Sequence, residues 1–375
     1  MFHGQIRLVV WCKADGMNVV IAAGGTGGHF FPAIALAEEF RRRNASTSVL
    51  LIGTGRALEQ MMMAETDIKI VPLQVRGVVG QGISASLYAL LLVPAAIGKA
   101  MCLLRSAQVD LVIGTGGYTS PPVVIAAWLL GIKRVLLEPN AIPGLANRVL
   151  GPLANRVFVS FEQAVSYFNP KKSTVVGAPI RQAFVDLPPA EHSGAVKTLL
   201  VCGGSQGAMA INTAMIDAVK ASNHLRTELT IIHQTGLDDF ERVKEAYEEV
   251  NAKVEVVPFV KDMPKVLRTA DLVVSRCGAL TLAEIAACGK PSILIPFPAS
   301  THQHQEHNAR AIEQAGAGLM ILQSELTGPR LVQTLEMLES NQEQMRSMAE
   351  KSLRLRKIDS AEVMVKECEQ LVMEN

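Results

Sequence analysis

The 375-residue sequence predicts an α/β protein made of two successive, doubly wound parallel-sheet units. Three observations predict it. Short runs rich in β-branched residues alternate with longer helical patterns. Those runs lack polar alternation, as strands covered on both faces do. The scheme breaks near residues 177–181, where Gly177, Pro179 and Arg181 stand, and then begins again. The length suits two domains. Hydrophobic residues make up 49% and charged residues 19%, enough for two cores and unlike a disordered chain.

The elements follow in order. Residues 19–22 read as the first buried strand and 32–43 as the helix after it. Residues 49–52, 111–113, 134–137 and 156–159 read as further strands. After the break, 198–202 is a strand, a glycine-rich turn follows, and 208–221 is a helix. Strands at 229–233, 254–257, 272–274 and 292–295 continue the second sheet, and the chain is helical and charged from Leu331 onward. Lys13 and Asp15 interrupt the apolar stretch 6–12, and no small-residue cleavage site follows it, so it does not read as a signal peptide. Met17 opens a cleaner strand, so residues 1–16 read either as an extension or as a start-site artefact. No run reaches the roughly 20 apolar residues that span a bilayer. The longest candidate, 87–97, contains Pro94.

The net charge of +1 hides an asymmetry. Residues 1–178 carry 16 Lys/Arg against 9 Asp/Glu; the rest carry 20 against 26. The first half is the part suited to an anionic surface or ligand, unless the charges are simply solvated. Six scattered cysteines (Cys12, Cys102, Cys202, Cys277, Cys288, Cys368) form no CxxC pair and no zinc-spaced cluster, which fits a reducing cytoplasm.

Three glycine-rich loops follow expected strands: Gly24-Gly25-Thr26-Gly27-Gly28-His29, Gly114-Thr115-Gly116-Gly117-Tyr118 and Gly203-Gly204-Ser205-Gln206-Gly207. Glycine lets backbone approach a phosphate, and a following helix offers unbonded N–H groups and a positive dipole end. One such loop can be a mere tight turn; three at strand ends point to an anionic ligand. They are not the dinucleotide fingerprint, because Phe30 and Ser205 stand where glycine is required and no acidic residue closes the strand 49–52. No Walker lysine follows any of them.

With Gly278-Ala279-Leu280-Thr281-x-x-Glu284 and His304-Gln305-x-x-Asn308-Ala309, these loops form an ordered set. The set resembles the MurG family of peptidoglycan glycosyltransferases, over nearly everything from Met17 onward. The resemblance implies a GT-B fold, two Rossmann-like domains facing across a cleft. It implies inverting transfer of GlcNAc from UDP-GlcNAc to the C4 hydroxyl of MurNAc in undecaprenyl-pyrophosphoryl-MurNAc-pentapeptide (lipid I), giving lipid II for peptidoglycan synthesis. The expected organisation is an acceptor and membrane domain at 17–180, a UDP-GlcNAc domain at 181–354 and a C-terminal helix, 355–375, returning to the first domain. The expected location is the cytoplasmic face of the cell membrane, as a peripheral protein. The expected partners are UDP-GlcNAc, lipid I and an anionic membrane surface, with no nucleic acid.

The resemblance also implies site residues. Thr26, Gly27 and Gly28 approach the donor sugar, Asn140 belongs to the Glu-x-Asn segment, and Arg181 contacts the donor. Ser205 lies on the phosphate side, the backbone of Val260 meets uracil, Ala279, Leu280, Thr281, Leu282, Ala283 and Glu284 bind the nucleotide, and Gln305 reads the sugar. Glu284 is expected near a helix N-terminus, where it accepts ribose hydroxyls or serves only the dipole. His29 is expected at the start of the first helix, as a neutral proton acceptor or a cap. Departures from the family stand at Leu137 and Pro139 beside Glu138, at Ala178, and at His302 and Gln303.

Two further readings concern ions and membranes. His302, His304 and His307 lack a carboxylate–histidine arrangement, and no Asp-x-Asp element follows a strand. No obligatory cofactor or metal is therefore expected; Mg²⁺ can stimulate. Residues 83–106 are apolar and flanked by Arg76, Lys99 and Arg105. They suit either a core helix or an interfacial patch. Two other functions share the architecture: a UDP-GlcNAc 2-epimerase-like isomerase, which needs cleft carboxylates, and a non-catalytic sugar-nucleotide-binding subunit.

Overall fold

The computed structural model describes residues 16–24, 27–55, 59, 67–73, 83–186, 188, 192–204 and 206–374, with the side chains of 83–92 outside that set. The chain forms two compact units. One holds the described residues up to Pro139, Pro143–Arg181 and those from Asp359; the other holds Asn140–Ile142 and Gln182–Ile358.

The first unit contains β1 (Asn18–Ala22), β2 (Ser48–Gly53), β3 (Lys69–Pro72), β4 (Leu111–Gly114), β5 (Lys133–Glu138), β6 (Arg156–Val159) and β7 (Ser173–Val175). All pair in parallel, in the order β3-β2-β1-β4-β5-β6-β7. Side chains alternate across the sheet. Val19 and Ile21 enter one core with Phe30, Phe40 and Leu51, while Val20 and Ala22 enter the other with Leu50, Ile52 and Leu104. Both faces are buried, which is why these strands read as unbroken apolar runs. Truncating a side chain such as Ile21 to alanine costs about 2–5 kcal/mol. The helix Ser360–Met373 packs on this sheet through Met364, Val365, Cys368 and Leu371, and Glu369 pairs with Arg43 at 2.8 Å.

The second unit contains β8 (Thr198–Cys202), β9 (Thr230–Gln234), β10 (Val254–Val257), β11 (Leu272–Ser275), β12 (Ser292–Leu294) and β13 (Gly318–Met320). These are parallel as well, in the order β10-β9-β8-β11-β12-β13. Among the described residues both units therefore have the doubly wound order. The chain reverses its winding between β1 and β4 in the first and between β8 and β11 in the second. Ligands in such sheets sit beyond the carboxyl ends of the strands at that switch.

Some elements differ from the sequence reading. The first helix runs Gly27–Arg43 and begins five residues before residue 32, because Gly27 and Gly28 already turn with it. Strands β3, β7 and β13 had no expectation. Each is three or four residues long and lies at a sheet edge. Half-exposed edges need no apolar run, so periodicity does not reveal them. In the helix Ile83–Ser106, the described side chains Ala96, Ala100, Leu103 and Leu104 are buried, so that half is a core helix.

Candidate active site

In the first unit the switch-point loops meet around His29, the third residue of the helix Gly27–Arg43. Its Nδ1 lies 2.7 Å from the carbonyl oxygen of Thr115, just past β4. A carbonyl only accepts, so Nδ1 carries the proton, and in the neutral ring Nε2 carries the lone pair. The Thr115 hydroxyl lies 3.2 Å from the Ala22 carbonyl and 3.1 Å from that of His29. The Ser120 hydroxyl is 3.0 Å from the Ala22 carbonyl and accepts from Gly116 N at 3.0 Å. Pro121 and Pro122 fill the first turn of the helix Ser120–Leu129, where their missing N–H groups cost nothing. Gly116 has φ +95, and a Cβ there would lie 2.9 Å from Cε1 of His29. Its glycine is needed twice over, for backbone conformation and for room beside the imidazole.

Buried Glu138 ends β5, and its Oε2 accepts from Gly144 N and Asn147 Nδ2, each at 3.0 Å. Arg181 also lies in this unit, with its guanidinium 5.2 Å from the centre of the Phe31 ring. Gly27 and Gly28 open the first helix. Thr26 lies outside the described residues, as does Ser205 of the third loop.

In the second unit the loop after β8 is held from the end of β9. Gln234 Nε2 donates to Gly204 O at 2.8 Å. Gly207, at φ +75, lies against the Thr235 carbonyl so closely that no Cβ fits. Beneath it, Asn212 Nδ2 donates to Thr235 O at 3.0 Å, and its Oδ1 faces His233 Nε2 at 3.1 Å. The other ring nitrogen faces the Tyr247 hydroxyl at 2.8 Å. Burial pushes the His233 imidazole down to about 3, so it is a neutral structural ring.

Beyond β11, Gly278 precedes the helix Ala279–Ala287. Ala279, Leu280 and Leu282 are buried, while Thr281, Ala283 and Glu284 are half-buried. Glu284 was expected near a helix N-terminus and sits in the second turn, because Ala279, Leu280 and Thr281 already belong to the helix; the first turn contains no acidic residue. The dipole alone therefore does not account for it. Val260, past β10, is buried. Gln305 Oε1 accepts from Cys277 N at 3.2 Å and from Phe297 N at 3.0 Å. Asn140 belongs to this unit, and its Oδ1 accepts from Asn308 Nδ2 at 3.2 Å. Buried Asn308 also reaches Cys277 O and receives Ala141 N at 2.9 Å.

Burial pushes the thiol of Cys202 up to about 12 and that of Cys288 up to about 11, so both are inert core thiols. Among the described residues no three His, Cys, Asp or Glu side chains gather as a metal site. Gln234, Asn308 and Arg276 hold the backbone of these loops, and sequence reasoning did not single them out as site residues. The available signal was a polar residue at the end of a buried strand, or within a quoted motif.

Two parallel-sheet α/β units, each with glycine-bearing turns at its switch point, define a GT-B-like protein. The chain belongs to glycosyltransferase family 28, whose N-terminal domain model matches residues 19–159 and whose C-terminal domain model matches 198–364. It is 42% identical over 359 residues to a Myxococcus xanthus protein, covering 96% of this chain and 94% of that one. That relative is named UDP-N-acetylglucosamine--N-acetylmuramyl-(pentapeptide) pyrophosphoryl-undecaprenol N-acetylglucosamine transferase. The crystal structure of Acinetobacter baumannii MurG is similar at a TM-score of 0.74 and 28% identity, covering 94% of this chain and 99% of that one. UDP-GlcNAc 2-epimerase from Neisseria meningitidis shares the fold alone, at a TM-score of 0.66 and 14% identity, covering 96% and 100%.

Proposed function

We propose that the protein transfers GlcNAc from UDP-GlcNAc to the C4 hydroxyl of MurNAc in undecaprenyl-pyrophosphoryl-MurNAc-pentapeptide, with inversion at the anomeric carbon. The observation that carries this reading is the identity of 42% across 96% of the chain to a relative named for that reaction. The geometry of His29 suits it. The acceptor oxygen attacks the anomeric carbon, the bond from that carbon to the UDP oxygen breaks, and the hydroxyl proton passes to Nε2 of His29. Thr115 holds the ring in the tautomer this needs. In the second unit, the loop after β8 and the N-terminus of the helix Ala279–Ala287 offer N–H groups to the departing diphosphate. No obligatory metal enters this scheme.

The test is incubation with UDP-GlcNAc and a lipid I analogue, followed by mass analysis. The expected product is heavier than the acceptor by one GlcNAc, with one UDP released per transfer. An epimerised nucleotide sugar with unmodified acceptor would overturn the proposal in favour of the isomerase. Donor binding without turnover would favour the non-catalytic subunit.

The protein acts at the cytoplasmic face of the cell membrane as a peripheral protein. No helix among the described residues is long and apolar enough to cross a membrane. Two helices that pack together, Ser120–Leu129 and Leu145–Leu150, expose Trp128 (47%), Leu129 (53%) and Val149 (65%). Arg148 stands beside them, 5.3 Å from the ring centre of exposed Tyr167. Aromatic, aliphatic and basic groups together suit an anionic headgroup layer. These exposed groups support a lipid-facing patch on the two helices; of the apolar segment 83–106 expected to serve as one, the side chains of 83–92 lie outside the described residues.

A further inference from the structure

Arg276 immediately follows β11 and is only 9% exposed. Its Nη1 donates to the carbonyls of Ile295 at 3.2 Å and Pro296 at 3.1 Å, and its Nη2 donates to Gln323 Oε1 at 2.6 Å. The guanidinium carbon lies 5.3 Å from the centre of the Phe297 ring. Every one of these oxygens is neutral, and among the described residues no carboxylate pairs with it. Burying a guanidinium without a counter-charge is costly, so a well-packed apolar side chain would serve stability as well. What the guanidinium adds is a rigid fork that fixes several acceptors at a set spacing.

One of those acceptors leads to the sugar side of the donor site. Pro296 O and Phe297 N belong to the same peptide unit. Arg276 holds its oxygen, and Gln305 Oε1 holds its N–H at 3.0 Å. The same Oε1 takes the N–H of Cys277, the residue after Arg276. The contacts therefore close a ring: Arg276 side chain, Pro296–Phe297 peptide, Gln305 carboxamide, Cys277 backbone. Both groups facing the carboxamide oxygen are backbone donors, so its orientation is set by chemistry. The oxygen is used up within the protein, and the NH2 group is the end left to face a ligand.

We propose that Arg276 is a positioning residue for recognition of the donor sugar: by clamping the Pro296–Phe297 peptide it locks Gln305 as a hydrogen-bond donor to a sugar oxygen. This rests on the reading that the second unit binds UDP-GlcNAc with Gln305 at the sugar. Arg276 acts only through Gln305, so its loss affects the sugar and spares the nucleotide.

Calorimetric titration of the full chain with UDP and with UDP-GlcNAc tests this. Arg276→Met should lower UDP-GlcNAc affinity about tenfold, the scale of one well-placed hydrogen bond, and leave UDP affinity within about twofold. Gln323→Met, which removes one arm of the clamp from a half-buried turn, should give a smaller loss of the same kind. Gln305→Glu keeps an acceptor for both backbone N–H groups and so should keep the melting temperature, yet lose the sugar-dependent affinity. If Arg276→Met does not fold, the Gln323 and Gln305 variants decide the matter. Equal losses for UDP and UDP-GlcNAc, or an unchanged ratio of the two, would overturn the inference while leaving donor binding intact. A wild-type protein that binds neither nucleotide would overturn the underlying reading, and the inference with it.

Discussion

Nδ1 of His29 sits 2.7 Å from the carbonyl oxygen of Thr115, and this contact spans 86 residues of sequence. It joins the first turn of the helix after β1 to the loop after β4, the two strands at the switch point of the first sheet. Because the partner can only accept, the contact selects the imidazole tautomer with its lone pair on Nε2.

His29→Ala should therefore lower kcat by about 10²-fold or more with little change in donor affinity, the usual scale for a general base. A residue that merely caps the helix would instead cost about 1 kcal/mol of stability with turnover kept. Turnover and melting temperature measured on the same variant separate the two, and normal turnover removes the catalytic role.

Glu284→Ala should raise KM for UDP-GlcNAc and leave kcat nearly unchanged, because a ribose contact lies away from the bond that breaks. Steady-state kinetics on the folded variant check this. An unaltered KM would show that the carboxylate does not touch the donor.

Activity should survive EDTA, and added Mg²⁺ should at most stimulate it by screening the diphosphate. Complete loss in EDTA, restored by metal, would reveal an ion site.

Replacing Trp128, Leu129 and Val149 with serine should weaken binding to anionic vesicles and leave UDP binding intact. All three are already exposed, so the melting temperature should hardly move. Replacing Leu90, Leu91 and Leu92 with serine tests the apolar segment in the same assay, and a thermal melt shows whether those leucines belong to the core. Vesicle binding that survives both triple variants would remove the membrane assignment from these segments.

His233 supplies a pH dependence of stability. Burial holds its imidazole at about 3, against an ordinary 6.5. Below 6.5 the unfolded chain takes up a proton that the folded chain refuses until about 3. Stability contributed by the neutral ring is thus present above 6.5 and falls as pH drops through that window. Melting temperature should decline from pH 6.5 toward 4. His233→Gln should be less stable at neutral pH but show a flatter decline. An equally steep decline in the variant would assign the effect to other groups.

The central strands were legible in the sequence because a strand covered on both faces must be apolar throughout, as residues 19–22 and 198–202 are. The glycine loops were legible because positive φ and close backbone approach admit few other residues, as at Gly116 and Gly207. The order of these motifs identified the family. The edge strands β3, β7 and β13 were not legible, since partial exposure relaxes the pattern. The second-turn placement of Glu284 also required the structure, because Ala279, Leu280 and Thr281 read as well as a loop as they do as the first turn of the helix.

The sequence alone determined which residues can carry chemistry: an imidazole after a glycine turn, a carboxamide after a histidine, a carboxylate after a Gly-Ala-Leu-Thr run. Only the tertiary structure decided what each is allowed to do. The tautomer of His29 depends on a carbonyl far along the chain, and the donor end of Gln305 on two backbone N–H groups from separate loops. The difference is physical. Apolar periodicity is a local requirement of each segment, whereas the direction of a hydrogen bond depends on which distant group folding brings opposite.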